Sequence, residues 1–357
     1  MKTKILQAIL LVSVAPMLAA CGKNGVAGGI APFAGLYKAS YATEGKNIGN
    51  TLDAPGKAIE GVGVASQVKY GDDVDALSNE APKKLILERL FPNNSSGRAA
   101  ISEPAALFKL TYGNASVTFT EADLRGEEMD QYLEKLFLNE DDEERTIAYL
   151  FSLEGDIFNI QNKIVVPLGF GFRLKDDGTS AGSDENSAGF ANGYTLIGLE
   201  TNPDTMPKDR TATYQGGAQF RLDNKVETFD SAGIDRIRLS GDSTMSANFS
   251  TGKVTGELDF YEARITDNND EGGIDDKNEL TDATVSLTGD IVSNGFTLDL
   301  VANAGAQEAL AGFGITNLEA EGAGRFYGTE AEGIGALVTG ESTNYLLNGV
   351  IWGEVED

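Results

Sequence analysis

Residues 321–340 read Glu-Gly-Ala-Gly-Arg-Phe-Tyr-Gly-Thr-Glu-Ala-Glu-Gly-Ile-Gly-Ala-Leu-Val-Thr-Gly, a pattern typical of a strand, a tight turn and a second strand. Because side chains alternate along a strand, Gly324, Phe326 and Gly328 share one face. Tyr327 then lies on the other face. Glycine at alternate inward positions lets a strongly curved sheet bend without crowding its interior. This stretch therefore predicts part of a tightly coiled antiparallel sheet.

The same alternation recurs through residues 208–357. About eight segments carry it: residues 211–220, 234–249, 254–260, 284–291, 296–300, 321–327, 333–339 and 346–355. Short turns such as Asn294-Gly295 have the chemistry that hairpins require. Eight such strands predict an up-and-down β-barrel that is closed and filled by its own side chains. The outward positions carry Thr, Ser, Asp and Glu, which excludes a transmembrane barrel.

Residues 33–207 are less regular and predict a mixed, handle-like α+β domain in a chain that is mainly β. Strands are indicated at residues 61–69, 106–120, 163–174 and 193–200. Thr120, with an acid three residues later, indicates a helix start, and apolar residues at helical spacing follow it to residue 137. A second amphipathic helix is predicted over residues 145–153. The two prolines before Lys208 suit a boundary between domains.

The first 32 residues are predicted to contain a lipoprotein signal peptide followed by a flexible tether. Lys2 and Lys4 precede an apolar run that is too short to span a membrane comfortably. The run ends in Leu-Ala-Ala-Cys-Gly, which resembles the lipobox of bacterial lipoproteins. In that family the thiol of the cysteine, here Cys21, takes a diacylglycerol, residues 1–20 are then removed as a signal peptide, and the new amine is acylated. Residues 21–32 then form a flexible tether. The alternative interpretation of the motif is an ordinary signal peptide with an incidental cysteine.

Composition excludes several functions. The chain has 357 residues, no histidine, one cysteine and a formal charge of −27. Histidine-dependent catalysis, most zinc sites and an intrachain disulfide are excluded, and nucleic acid is a poor partner. We identify no catalytic residue and no required cofactor. A carboxylate-pair enzyme and haem ligation through Tyr or Met remain open alternatives.

One loop has part of a calcium-binding pattern. In residues 267–278, oxygen-bearing side chains occupy positions 1, 3, 5 and 9 of the twelve-residue calcium register: Asp267, Asn269, Glu271 and Asp275. Position 12 is asparagine instead of glutamate, and strands flank the loop where helices are expected. The alternative interpretation is a solvated hairpin tip.

Several motifs together resemble the barrel of transferrin-binding-protein-B-like surface lipoproteins. The matching segments are residues 193–207, 211–216, 246–256, 286–289 with 295–296, the Phe-Tyr-Gly element at 326–328, and Gly349-Val-Ile-Trp-Gly353. The barrel-motif residues Gly324, Phe326, Tyr327, Gly328, Gly349 and Gly353 are expected to be structural. A full transferrin-binding protein B has two lobes, whereas this chain has a single handle-plus-barrel unit.

The resemblance implies a lipid-anchored outer-membrane protein on the surface of a Gram-negative cell. Such a protein would bind an extracellular protein or solute in iron or nutrient acquisition, with an integral outer-membrane receptor as a further partner. The ligand-binding residues are unknown, and loops of the handle domain and the 267–278 loop are the first places to look. The alternative is a structural or adhesion lipoprotein that has no transferable ligand.

Overall fold

The computed structural model describes residues 36–44, 46, 48–52, 55–69, 76–90, 106–126, 131–138, 144–155, 157–158, 160, 163–182, 187–225, 236–267 and 274–355. Cys21 and the predicted signal peptide and tether lie outside the described residues. The described part confirms a mainly β protein with two antiparallel sheets.

The first sheet forms the N-terminal domain, which also contains a short helix, α1 (Ile48–Thr51). Its strands are β1 (Lys57–Lys69), β2 (Ala76–Asn79), β3 (Lys83–Arg89), β4 (Ala106–Tyr112), β5 (Ala115–Thr120), β6 (Leu124–Arg125), β7 (Tyr132–Leu138), β8 (Glu144–Ser152), β9 (Val165–Leu174) and β10 (Gly189–Gly198). The strand order is β5-β4-β3-β1-β10-β9-β8-β7-β6, and β2 pairs with β1. The strands predicted around residues 61–69, 106–120, 163–174 and 193–200 are therefore present.

The two predicted helices are wrong. Thr120 and Asp123 do form a capping box, but it starts only a single 3-10 turn, Glu121–Asp123. Residues 132–138 and 144–152 are strands β7 and β8. A bulge between Lys135 and Leu136 breaks the two-residue period of β7 and produces an apolar spacing that resembles a helical stripe.

The N-terminal sheet curls so strongly that its two ends approach each other. Lys135 of β7 donates a hydrogen bond to the carbonyl of Thr118 of β5 at 3.1 Å. Its ammonium also lies 3.6 Å from the carboxylate of Asp123. Inside the curl, the ring centroids of Tyr112 and Phe170 are 4.8 Å apart. This domain therefore has an apolar core of its own.

The second sheet is a closed eight-stranded antiparallel barrel, as predicted. Its strands are β11 (Thr211–Asn224), β12 (Arg236–Asn248), β13 (Lys253–Asp267), β14 (Ile274–Val292), β15 (Gly295–Ala302), β16 (Glu319–Tyr327), β17 (Gly333–Glu341) and β18 (Tyr345–Val355). A helix that the sequence reasoning missed, α2 (Ala304–Gly312), joins β15 to β16. The predicted domain boundary near residue 207 falls between the end of β10 and the start of β11.

The barrel-motif residues divide between the barrel core and the domain interface. Phe326 is fully buried in the barrel core, and Gly324 leaves room for the ring of Phe296, which a Cβ there would approach to 2.2 Å. Gly349 likewise lies against the ring of Phe220. Gly353 is also packed tightly, beside β11, and Gly328 ends β16 with a φ of 86°, which favours glycine.

The two domains share a buried apolar interface. Tyr327 and Trp352 of the barrel pack with Tyr194 and Leu196 of β10 in one cluster. Gly198 permits this contact, because a Cβ there would lie 2.4 Å from the ring of Tyr327. The alternation in the sequence places Tyr327 on the strand face opposite that of Phe326. The face that carries Tyr327 contacts the N-terminal domain.

Candidate ligand-binding cleft between the domains

Arginines form a row on the outer face of the barrel, beside the N-terminal domain. Arg221 of β11 lies directly opposite Arg238 of β12, and Arg238 lies opposite Arg264 of β13. Arg236 is two residues from Arg238 and therefore shares its face. Like charges directly opposite each other on neighbouring strands are destabilising. In a chain with twice as many acidic as basic residues, this cluster requires an anionic counterpart.

Asp223 supplies part of that counterpart. Its carboxylate accepts two hydrogen bonds of 2.8 Å from Nε of Arg221 and one of 3.3 Å from Nε of Arg236. The hydroxyl of Ser66, in β1 of the other domain, donates to it at 2.7 Å. Burial favours a higher pKa for Asp223, but the two guanidiniums hold its pKa below the ordinary value. Asp223 is therefore a charged link between the domains.

The other two guanidiniums are less well compensated. The charge of Arg221, followed by burial, lowers the pKa of Arg236 below the usual arginine value. Nε of Arg238 is buried and has no hydrogen-bond partner among the described residues. A buried donor without a partner is costly, and a charged one more so. Arg236 and Arg238 thus present a site that an anion would complete.

The N-terminal domain supplies an aromatic wall opposite these arginines. The ring centroids of Tyr149 and Phe151 on β8 are 5.8 Å apart, and those of Tyr149 and Phe190 on β10 are 6.2 Å apart. Glycines of β9 let the rings lie close to the sheet. A Cβ at Gly169 would approach the ring of Phe151 to 2.2 Å, and one at Gly171 would approach the ring of Tyr149 to 2.5 Å.

Together these groups line a cleft of about 520 Å³, which we call the interdomain cleft. Its lining residues are Val68, Tyr132, Glu134, Thr146, Tyr149, Phe151, Phe190, Asn192, Arg221, Arg236 and Arg238. Among the described residues Glu134 is the one carboxylate in this lining, and it accepts a hydrogen bond from Thr146 at 2.8 Å. The cleft volume lies within the range of about 300–1,000 Å³ that is usual for small-molecule sites. Its chemistry suits a planar apolar group that carries an acid.

Two of the four residues predicted to bind calcium, Asp267 and Asp275, lie in the strand pair β13–β14. Asn269 and Glu271 are outside the described residues. Asp267 ends β13 opposite Ile274, and Asp275 pairs with Thr266. Strand pairing therefore occupies positions 8 to 12 of the register, where the motif requires a loop. The predicted calcium site stays a prediction.

A buried carboxyl group lies elsewhere in the domain interface. Burial raises the pKa of Glu200, and Arg325, 3.6 Å away, opposes that shift. Asn294 donates to the Glu200 carboxylate at 2.9 Å. The carboxylate-pair hypothesis requires two such acids in one cleft, and the described residues contain no second buried acid whose pKa is raised beside Glu200.

The sequence reasoning missed the cleft, although part of its signal was present. In Arg236-Ile237-Arg238, two arginines alternate with an apolar residue, which places both on one strand face. The sequence predicted amphipathic helices at Tyr132 and Phe151. It therefore gave no indication that both side chains line the same cleft. The pairing of Arg221 with Arg238 depends on strand register, which only the folded barrel shows.

The barrel is similar to a known family of barrels. Residues 206–353 match the family model of the C-lobe and N-lobe beta barrels of Tf-binding protein B. This match covers all eight barrel strands up to Gly353 in β18, and it confirms the resemblance that the sequence motifs indicated. Among curated proteins, none matches the sequence.

Three solved structures match this chain at low sequence identity and low TM-score. The N-lobe of lactoferrin binding protein B of Moraxella bovis is 14% identical, with 63% of this chain and 92% of that chain covered and a TM-score of 0.33. A transferrin binding protein B mutant from Actinobacillus pleuropneumoniae H49 is 14% identical, with 82% and 99% covered and a TM-score of 0.35. Transferrin binding protein B of Neisseria meningitidis is 13% identical, with 85% and 77% covered and a TM-score of 0.31. The family resemblance rests on the match of residues 206–353 to the family model.

No helix in the described part of the chain is long and apolar enough to cross a membrane.

Proposed function

We propose that this protein is a lipid-anchored binding module of the outer-membrane surface, and that it captures an anionic solute in the interdomain cleft. The observation that carries the proposal is the pairing of Arg236 and Arg238 with an aromatic wall. The match of the barrel to transferrin-binding protein B and the lipobox at Cys21 support the surface location. Release to an integral outer-membrane receptor would follow capture.

A small solute fits the cleft better than a protein surface does. The cleft is concave, and its charged groups converge on one volume of about 520 Å³. Flat protein–protein interfaces instead bury about 800 Å² on each partner. The relatives' names mention transferrin and lactoferrin, which are proteins, and the handle loops could serve such a partner independently of the cleft.

We expect the anionic fluorophore anilinonaphthalene sulfonate (ANS) to bind the chain from residue 22 onward, which retains every described residue. The double variant Arg236→Gln/Arg238→Gln should weaken binding about tenfold or more, because hydrogen bonds to charged groups contribute about 1.5–3 kcal/mol each. Fluorescence titration measures both affinities, and circular dichroism checks that the variant is folded.

Arg264→Gln is the matched control for that experiment. Arg264 lies in the same row, but it pairs with Glu262 at 2.6 Å and does not line the cleft. Its replacement should leave ANS affinity unchanged. If the double variant and the wild type bound ANS with equal affinity, the cleft would not be the binding site. That result would favour the structural or adhesion role.

We expect Cys21→Ala to abolish membrane anchoring. The thiol is the acceptor for the diacylglycerol, and no other cysteine can replace it. Radiolabelled palmitate incorporation and fractionation of the producing bacterium measure the effect. The Asn24→Ala variant, which leaves the motif intact, should remain labelled and in the membrane fraction. Labelling of Cys21→Ala at the wild-type level would contradict lipidation at this residue.

A further inference from the structure

A second cavity lies at the end of the barrel that α2 covers. The sequence predicted a core filled by side chains, but this end contains a cavity of about 660 Å³. The rings of Phe220 and Phe260, with centroids 5.1 Å apart, form part of its wall. Leu300 and Ala302 of β15 also line it. The volume again falls within the range of about 300–1,000 Å³ of small-molecule sites.

The composition of α2 explains why the cavity is not filled. Asn303 caps the helix by accepting a hydrogen bond from the backbone of Ala306 at 2.7 Å. Gly305 allows close approach to β14, because a Cβ there would lie 2.2 Å from the carbonyl oxygen of Asp282. Within α2 only Ala306 is buried. The helix is therefore fixed across the opening, but it contributes few large side chains to the space beneath.

The charge of this lining differs sharply from that of the interdomain cleft. In the part of the chain that the structure describes, Glu308 is the one charged residue of this lining, and no Lys or Arg belongs to it. Gln307, Thr316 and Asn317 add uncharged polar groups, and all three are exposed. An anionic ligand would meet the carboxylate of Glu308 without a compensating cation. A neutral molecule with an apolar body and a polar end matches the lining.

We propose that this barrel-end cavity binds an uncharged, elongated apolar molecule, such as a single acyl chain with a neutral head group. The apolar part lies against the barrel interior, and the polar end lies at the rim formed by α2 and the residues after it. The site is independent of the proposed function, since it shares no lining residue with the interdomain cleft.

The test uses the neutral fluorophore N-phenylnaphthylamine, which has the aromatic system of ANS without the sulfonate. Ala302→Phe places a ring in the cavity and should weaken binding at least tenfold. Ala304→Phe is the matched control, because Ala304 is exposed on α2 and does not line the cavity. Monoolein should displace the fluorophore, and oleate should displace it less well because of its charge.

Equal affinities of Ala302→Phe and Ala304→Phe would overturn the proposal, as would the absence of any fluorescence change with the wild type. If Ala302→Phe does not fold, Ala320→Phe on β16 serves instead, because Ala320 also lines the cavity and is half-buried. The arginine double variant should bind N-phenylnaphthylamine normally, and Ala302→Phe should bind ANS normally. This crossed result separates failure of one site from failure of the other.

Discussion

Replacing Asp223 with asparagine should destabilise the protein by about 3–5 kcal/mol, the usual cost of leaving a buried charge without its partner. Arg221, whose side chain is 6% exposed, would lose the carboxylate that accepts both of its bonds. Arg236 would lose the same partner, and the link to Ser66 would weaken. Urea unfolding followed by the fluorescence of Trp352 measures the effect, because this single tryptophan lies in the domain interface.

Asp290→Asn is the control for Asp223→Asn. Asp290 forms an exposed pair with Lys253 at 2.6 Å, with side chains 64% and 58% exposed. Exposed pairs contribute about 0–1 kcal/mol, so this change should be small. If the two variants unfolded at the same urea concentration, the buried network would have no special role in joining the domains.

The effect of Asp223→Asn should depend on pH in a defined direction. The pKa of Asp223 is lowered in the folded protein, so its contribution is present above the unfolded value, near 3.8. That contribution is lost as the pH falls through the folded pKa. The stability difference between the wild type and Asp223→Asn should therefore be full at neutral pH and shrink only below about pH 3.8.

The other large effect is expected from Phe326→Ala. Phe326 is fully buried, and its ring centroid lies 5.2 Å from that of Phe296, 5.3 Å from that of Phe249 and 6.3 Å from that of Tyr214. Removing a buried phenylalanine ring costs about 3–5 kcal/mol, because the transfer free energy is lost and a cavity remains. The midpoint temperature of thermal unfolding and the midpoint urea concentration should both be lower than in the wild type.

Tyr261→Ala is the matched aromatic control for Phe326→Ala. Tyr261 is 51% exposed on β13, so its loss should change the free energy of unfolding by no more than about 0.5 kcal/mol. A Phe326→Ala variant as stable as Tyr261→Ala would mean that the ring cluster does not hold the barrel together.

The barrel could be predicted from the sequence because its two faces differ in polarity. On β13, for example, the inward residues Leu258 and Phe260 alternate with the exposed acids Glu257 and Asp259. The N-terminal domain gives no such signal. In β8, Leu150 enters the core of its own domain, while Tyr149 and Phe151 on the other face form the cleft wall. Because apolar residues occur on both faces of β8, polar and apolar residues do not alternate along it. The spacing of its apolar residues then fits an amphipathic helix better than a strand.

The candidate sites depended on contacts that no local pattern contains. The arginine row is set by the register of β11, β12 and β13. The barrel-end cavity exists because α2, a short stretch rich in Ala and Gly, lies across the barrel. Asn303 caps this helix, but nothing near it in sequence indicates that the helix covers an opening.

The central claim is that Arg236 and Arg238 hold an anion in the interdomain cleft. A crystal structure of the chain with bound ANS tests it most directly. We expect the sulfonate within hydrogen-bond distance of Nε of Arg238 and of the Arg236 guanidinium, with the naphthalene ring against Tyr149 and Phe190. ANS bound only at other positions, with these two arginines unoccupied, would contradict the account.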